Sequence, residues 1–497
     1  MFLARHGGAK TVRTLFNASK PSSVNMYTRD PEVVRWILKD NFNNYIKSDV
    51  TQKPRKVPIY GFDRLLGNGI FGIDHGPAAA DHGHAWHMQR KTAANIFTRR
   101  QFRTFMREVF VRKGRALCAR LDAVASAGGE IDLQACFFRF TMDSICEIAF
   151  AEKDSQASDG PSFGALFDGA HRLLMHLVPS GFVPLTLIGL LQPTQLRLAA
   201  LWAFERVNPA ARAYRAKVAE LDAYCSALIA RRYADPAALR EARDLLALFM
   251  NRPAGGKKKL TAAEEATFLR DIVVSFIIAG RDTTASLLAW VFYELGRHPD
   301  AEARLLGEID AVLGVDAGAH DEDGRASSDE ADGCDADLTY ATVLNKLPWL
   351  KAVIYETLRL HPSVPMDFKV AADDDVLPNG MHVCRGWRVT YCPWAMGRDP
   401  ELWGADAERF SPGRWLRGPG GAFKQPHDAY AFPVFQAGPR ICLGMNMAIF
   451  EASLLTAQLL RRFRLPASPA QAGMERTYAR GLTMSIKGPL LVTPKRR

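Results

Sequence analysis

The sequence predicts a mainly α-helical fold with a small β-rich lobe, and three patterns support that prediction. Apolar residues recur every three or four positions from about residue 261 to 298, which is the period of one long amphipathic helix. A similar pattern follows Cys442 and predicts another helix there. Strand patterns at 11–16 and 24–28, with a run of prolines, turns and short strands at 359–391, predict a β-rich lobe at the start of the chain and near residues 365–395.

Length and composition limit the classes of protein that this chain can belong to. Its 497 residues can form several ordinary domains or one unusually large one. The eight cysteines are scattered, so neither a zinc site nor disulfides are indicated, and a reducing compartment is expected. The net charge of +11 suits an anionic membrane surface or an acidic protein partner. Nucleic acid is a rival partner, but no nucleic-acid-binding motif supports it.

The chain lacks the usual signals for a membrane anchor. Residues 1–10 have no apolar core, and no run of about eighteen apolar residues predicts a spanning helix. We therefore expect an N-terminal anchor to be absent. Three prolines interrupt the apolar stretch at 171–204, so this stretch does not form one spanning helix. Residues 314–337 contain nine acidic residues against Arg325, which predicts a flexible surface insertion between two helices.

Two further patterns near the N-terminus are weak. Residues 67–72 have the spacing of a dinucleotide-binding glycine loop, but neither the expected βαβ unit nor its acidic residue is apparent. Four histidines follow and suggest metal ligands: His75, His82, His84 and His87. No carboxylate or cysteine completes a recognisable site, so we interpret them as solvated loop histidines.

Two pairs of polar residues lie on predicted helices where they can support chemistry. Trp86 and Arg90 are four residues apart and share one helical face, where two donors suit a carboxylate, although such residues often just pack together. On the long helix, Thr283 falls on the buried face directly after Asp282, and this pair can hold or pass a proton. A buried threonine can instead bond back to the carbonyl four residues earlier.

The segment at 435–444 carries the strongest signal. Cys442 follows a glycine-bearing turn and is expected in the first turn of the next helix, whose N-terminus lowers the pKa of a cysteine. A bound metal deprotonates a cysteine outright. Gly438 and Gly444 let the backbone pass close to a flat group, and Arg440 can meet an anion beside it. The alternative is a buried free cysteine beside a turn.

This pattern, Phe-x-x-Gly-x-Arg-x-Cys-x-Gly, resembles the haem-binding loop of the cytochromes P450. The resemblance implies that Cys442 is the axial thiolate ligand of the iron in haem b and that Arg440 pairs with a haem propionate. It also places Phe435 and Gly438 in the binding loop. The same resemblance implies a single cytochrome P450 domain over residues 1–497.

Other motifs resemble the same family in the expected order. Trp86 and Arg90 match a Trp-x-x-x-Arg helix that holds the haem propionates. The segment Ala-Gly-Arg-Asp-Thr-Thr matches the oxygen-activation motif, in which Gly280 leaves space for dioxygen while Asp282 and Thr283 deliver protons.

A structural motif of the family is matched as well. Glu356 and Arg359 resemble its buried Glu-x-x-Arg pair, which an arginine from a later segment completes. The surrounding frame assigns that role to Arg414, although Gly413 replaces the usual glutamate. The tail at 481–492 is expected to form a β-hairpin that borders the substrate pocket.

Segments at 89–94, 131–150 and 359–391 resemble the plant fatty-acid ω-hydroxylase branch in particular. This resemblance implies a monooxygenase that hydroxylates long-chain fatty acids, with electrons from NADPH through a separate cytochrome P450 reductase. It also implies a monomer on the cytosolic face of the endoplasmic reticulum membrane. Three alternatives stay open: a hydroxylase of sterols or other terpenoids, a hydroperoxide isomerase or dehydratase, and a haem carrier or sensor.

Overall fold

The prediction of a mainly α fold with a small β-rich lobe is confirmed. A computed structural model of the chain describes residues 10–15, 24–47, 62–75, 83–98, 100–152, 163–180, 194–242, 244–251, 261–314, 335–418 and 421–497. The helices are α1 (Pro31–Arg35), α2 (Phe62–Leu66), α3 (Gly83–Thr98), α4 (Arg100–Ser126), α5 (Leu133–Phe150), α6 (Phe163–Ser180), α7 (Thr194–Val207), α8 (Pro209–Ala234), α9 (Pro236–Glu241), α10 (Leu245–Met250), α11 (Ala262–Arg297), α12 (Pro299–Leu313), α13 (Tyr340–Asn345), α14 (Pro348–Leu360), α15 (Pro393–Met396), α16 (Pro400–Trp403) and α17 (Met445–Arg462).

The strands are short, and the largest sheet contains five of them. They are β1 (Thr11–Leu15), β2 (Val24–Thr28), β3 (Tyr45–Ile46), β4 (Ile131–Asp132), β5 (Asp367–Ala371), β6 (Asp375–Val376), β7 (His382–Val383), β8 (Arg388–Tyr391), β9 (Phe463–Arg464), β10 (Leu491–Val492) and β11 (Lys495–Arg496). The five-stranded sheet has the order β1-β2-β8-β5-β3, and only β2 and β8 run parallel within it. The β-rich lobe thus joins the start of the chain to residues 367–391.

Helix α11 runs through the main hydrophobic core. It begins with a capping box in which the Thr261 hydroxyl accepts from the Glu264 amide while the Glu264 carboxylate accepts from the Thr261 amide. It packs against α5, α14 and α17. Within the part of the chain that the structure describes, only α11 is long and apolar enough to cross a membrane. Of its apolar window, 78% is buried inside the protein, which is the pattern of a core helix.

Helix α14 carries a buried ion pair in which Glu356 and Arg359 are both fully buried. One carboxylate oxygen of Glu356 accepts from Arg359 at 2.7 Å, from the Ser411 amide at 2.7 Å and from Arg414 at 3.0 Å. The other accepts from Arg359 at 2.8 Å and from the Trp415 indole at 2.9 Å. Arg414 therefore donates to Glu356 in the structure, as predicted. Although Gly413 replaces the usual glutamate, both oxygens of the Glu356 carboxylate have donors.

Two expectations for loop segments need correction. The tail does fold on itself, but earlier than expected: Tyr478 and Ile486 form an antiparallel bridge, and the Lys487 amide donates to the Thr477 carbonyl at 2.8 Å. The first arm of this hairpin therefore lies outside the expected 481–492, and the end of that range forms β10, which pairs with β4. In the acidic stretch, residues 315–334 lie outside the described residues. At its end, however, Asp335 is buried and accepts from Arg115 at 2.7 Å, so this end is anchored rather than flexible.

We expect Glu356→Ala to destabilise the protein by about 3–5 kcal/mol, because it leaves the buried Arg359 guanidinium without a counter-ion. Asp406→Asn is the matched control, since Asp406 accepts from Arg414 at the exposed end of the same network. It should leave stability unchanged. Urea denaturation of the purified variants measures both effects, and equal midpoints for the two variants would contradict the assignment.

Candidate functional site

Cys442 lies at the end of a closed loop, three residues before α17 begins at Met445. The expectation that it occupies the first helical turn is therefore wrong. The Cys442 amide donates to the Phe435 carbonyl at 2.8 Å, and this bond closes the loop before the helix starts. The amides of Gly444 and Met445 still bond to the sulfur, so the start of α17 does face Cys442.

The pKa of the Cys442 thiol is raised, whereas the sequence predicted that it would be lowered. Burial raises the pKa of its thiol, and this effect exceeds the lowering by the Gly444 amide, by Arg90 and by the Met445 amide. Although it lies deep in the protein, the cysteine is accessible to solvent. A group that is both deep and accessible faces an internal cavity. The arrangement thus offers a neutral thiol that a metal ion in that cavity would deprotonate.

Gly438 and Gly444 of the loop differ in what surrounds the position of an added Cβ. Gly438 has φ +65°, and a Cβ there would lie 2.2 Å from the Leu38 carbonyl oxygen. It therefore packs against the backbone of Leu38 and Lys39, and the close approach of this loop to a flat group stays a prediction. At Gly444 the nearest atom to an added Cβ is the Cys442 sulfur at 4.0 Å, so space beside the sulfur is open.

Arg440 is buried, and its hydrogen bonds within the described residues go to uncharged acceptors. Its guanidinium donates to the carbonyls of Ile73 at 2.7 Å and Ile70 at 3.3 Å, and to a ring nitrogen of His75 at 3.0 Å. None of the carboxylates in the described ranges forms an ion pair with it. Burial lowers its pKa to about 10. The guanidinium is therefore a buried charge that an anion would stabilise.

His75 is part of the site, which corrects the interpretation of it as a solvated histidine. Its ring stacks on Phe42 at 3.6 Å between centroids and is fully buried. Because Arg440 donates to Nδ1, the proton lies on Nε2 and is donated to the Phe42 carbonyl at 2.9 Å. Burial lowers the pKa of His75 to about 3, so the ring is neutral. His87 is exposed as expected, and the side chains of His82 and His84 lie outside the described residues.

Helix α3 brings Trp86 and Arg90 to the same loop. Trp86 is buried, and the guanidinium of Arg440 lies 4.6 Å from its ring centroid. Arg90 lies 5.9 Å from the same ring and donates to the Ile441 carbonyl at 2.6 Å. Four of the predicted residues, Trp86, Arg90, Arg440 and Cys442, therefore meet in one place.

Lys369 of β5 belongs to this cluster but was not indicated by the sequence. It is fully buried, and within the described residues its ammonium has no hydrogen-bond partner. Burial and the neighbouring Lys47 and Arg440 lower its pKa well below the usual value. The buried carboxylate nearby, Asp367, is paired with Lys47 at 2.6 Å. Asp74 is buried as well and favours the charged form of Arg440. With Asp74 and Asp367 as its acids, the cluster still contains more cationic side chains than carboxylates.

The acid and alcohol on α11 form a second group. Asp282 is buried and accepts from Arg281 at 2.9 Å, while burial raises its pKa to about 6. The Thr283 hydroxyl donates back to the Ala279 carbonyl at 2.6 Å. This is the bond to the carbonyl four residues earlier that the sequence offered as an alternative. Its oxygen can still accept a hydrogen bond. Thr284 bonds to Glu451 of α17, which fixes the helix after Cys442 on α11.

Gly280 serves the packing of α11 on α5. A Cβ at this position would lie 2.6 Å from the Ile145 terminal carbon. The absence of a side chain therefore permits contact between two helices, and the space for dioxygen at this position stays a prediction.

The glycine loop at 67–72 follows helix α2 rather than a strand, so it is not part of a βαβ unit. Instead, the Asn68 amide donates to Asp271 of α11 at 2.7 Å. A dinucleotide site is excluded here, because that fingerprint needs a strand before the glycines.

Known proteins are similar to this chain across the whole site. A family model described as cytochrome P450 matches residues 65–492. Cytochrome P450 94C1 of Arabidopsis thaliana is 32% identical over 475 residues, which cover 95% of this chain and 84% of that protein. Cytochrome P450 704B1 of the same plant is 32% identical over 508 residues, with 96% and 87% covered. Cytochrome P450 704C1 of Pinus taeda is 30% identical over 470 residues, with 92% and 82% covered.

We expect Gly280→Ala to destabilise the protein by about 1–3 kcal/mol, because its Cβ overlaps Ile145. Gly307→Ala is the matched control. Position 307 lies within helix α12 with nothing near an added Cβ, so helix propensity should stabilise that variant by about 0.5–1 kcal/mol. Urea denaturation compares the two. In an Ile145→Ala background the Gly280→Ala penalty should shrink, and an unchanged penalty would contradict the packing argument.

Proposed function

This chain belongs to the cytochrome P450 family, and from that membership we propose that it hydroxylates the terminal carbon of long-chain fatty acids. The family assignment makes it a haem-thiolate monooxygenase. The fatty-acid specificity is supported by the segments at 89–94, 131–150 and 359–391, which resemble the plant ω-hydroxylase branch.

The residues of the site fit haem. Cys442 faces an internal cavity and supplies the thiolate that haem iron takes in this family. The excess positive charge at Arg440 and Lys369 suits the two propionates of haem, and the aromatic face of Trp86 completes the same wall. When bound, haem supplies the activation of dioxygen.

The cationic residues have separate tasks in holding that group. Arg440 is oriented by the carbonyl of Ile73 and by neutral His75, and both contacts leave its charge available to a carboxylate. Lys369 has no acceptor among the described residues, and a carboxylate beside it would favour its protonated form and so give a second charge. Arg90 is tied to the Ile441 carbonyl, next to Cys442, and favours the thiolate over the thiol.

Proton delivery is assigned to Asp282 and Thr283. The pKa of Asp282 is raised to about 6, so its carboxyl can take up and release a proton near neutral pH. The Thr283 oxygen, held by its bond to Ala279, can accept a hydrogen bond and pass the proton on. The reaction consumes one dioxygen, two electrons and two protons for each hydroxylated product and water.

Partners follow from the family and from the surface. Electrons come from NADPH through a separate reductase, whose acidic surface would suit a monomer of net charge +11. Helix α7 exposes Leu196, Trp202 and Val207, and exposed apolar side chains of this size suit the surface of the endoplasmic reticulum membrane.

The substrate is tested with haem-loaded protein, NADPH and cytochrome P450 reductase, using lauric acid, oleic acid and cholesterol in parallel. We expect NADPH-dependent products hydroxylated at the terminal carbon of the fatty acids. Hydroxylation of cholesterol alone would replace the proposal with a sterol hydroxylase. Turnover of a fatty-acid hydroperoxide without reductase, and no hydroxylation with it, would replace it with a hydroperoxide isomerase.

We expect Arg440→Ala to release haem about 10- to 100-fold faster than the wild type, since a charge-assisted hydrogen bond contributes about 1.5–3 kcal/mol. Arg206→Ala is the matched control, because Arg206 also lies over a tryptophan ring, that of Trp202 on the surface. Absorbance during haem transfer to excess apomyoglobin gives both rates. Equal rates in the two variants would remove Arg440 from the propionate site.

A further inference from the structure

Helix α6 contributes a carboxylate to the proton-delivery group of α11. Asp168 accepts from both terminal nitrogens of Arg281, each at 2.7 Å, which is a bidentate pair. One of those nitrogens also donates to Asp282 at 2.9 Å. A single guanidinium is therefore shared between two carboxylates, one half-exposed on α6 and one buried on α11.

The sharing is unequal. Two of the three hydrogen bonds go to Asp168, and Asp282 receives one. The ring of Phe138 lies 4.9 Å from the Arg281 guanidinium and confines it on the remaining side. Without Asp168, the same fork could turn to Asp282 and bind both of its oxygens.

We propose that Asp168 is a positioning residue for proton delivery, which holds Arg281 away from full pairing with Asp282 and so keeps the Asp282 carboxylate able to accept a proton. The inference rests on the role proposed for Asp282 and does not depend on which substrate is hydroxylated. It gives α6 a direct influence on proton supply.

The other titratable groups that face this cluster do not substitute for Asp168. His171 of α6 has its pKa lowered by burial, so it is neutral at neutral pH. The Cys146 thiol of α5 has its pKa raised to about 12 and is neutral as well. Glu451 of α17, beside Thr284, has its pKa raised well above the usual value. The charge that acts on Asp282 therefore comes from Arg281, which lowers its pKa, and from Asp168, which raises it.

Asp168→Asn should lower the pH at which Asp282 takes up its proton by about one unit, because it removes a negative charge and frees Arg281. Infrared difference titration of the haem-loaded protein measures this through the carbonyl stretch of the protonated acid, with Asp282→Asn to identify the band. Asp168→Glu keeps the charge and should restore the wild-type midpoint.

Glu220→Gln is the matched control, since Glu220 is as exposed as Asp168 and accepts from Lys217 at the same distance of 2.7 Å. With any substrate that the wild type hydroxylates, Asp168→Asn should form about three- to tenfold less product per NADPH, and hydrogen peroxide should take its place. Glu220→Gln should change neither the titration nor this ratio.

Two outcomes overturn the inference. One is an unchanged Asp282 midpoint in Asp168→Asn, which removes the electrostatic link even if the variant loses activity through misfolding. The other is a shifted midpoint with an unchanged product-to-NADPH ratio, which removes the link to proton delivery. Failure of the fatty-acid assignment alone leaves both readouts intact, so the two proposals fail separately.

Discussion

The cost of burying charge is the constraint on which this structure depends. Glu356 shows how that cost is met within the chain, because five hydrogen bonds from four residues reach its two oxygens. Arg440 and Lys369 show the opposite case, since each is buried without a carboxylate partner among the described residues. A buried cation without a partner destabilises a protein unless something else balances it. The charges at Glu356 are thus balanced within the chain. Those at Arg440 and Lys369 are not, and the two propionates of haem would balance them.

The same principle governs the acid on α11. Asp282 is buried and shares the guanidinium of Arg281 with Asp168. Its pKa of about 6 follows because its negative charge is only partly compensated. A carboxylate with a full partner would stay ionised, and one with no partner would stay protonated. Sharing Arg281 with Asp168 places Asp282 between these limits, where it can exchange a proton. Stability and function are therefore set by how many donors each buried acid receives.

Local patterns predict the parts of this fold that local forces determine. Helix α11 is predictable because its apolar period and its Thr261–Glu264 capping box both depend on residues that are close together in the sequence. The tail hairpin was wrongly placed at 481–492, because the end of that range pairs with a strand near residue 131, far away in sequence, while the turn lies earlier in the chain.

The site is predictable to a similar extent. The motif around Cys442 identifies the thiol, but the raised pKa of that thiol follows from tertiary burial. Lys369 and His75 carry no local signal, since only the folded chain shows that one lacks an acceptor and the other orients Arg440.

The central claim is that Cys442 provides the thiolate ligand of a haem group. The most direct measurement is the visible spectrum of the purified, reduced protein under carbon monoxide, for the wild type and for Cys442→Ser. The account predicts a strongly red-shifted Soret band in the wild type and its loss in the variant. A well-folded wild-type protein without haem, or the same red-shifted band in Cys442→Ser, would contradict it.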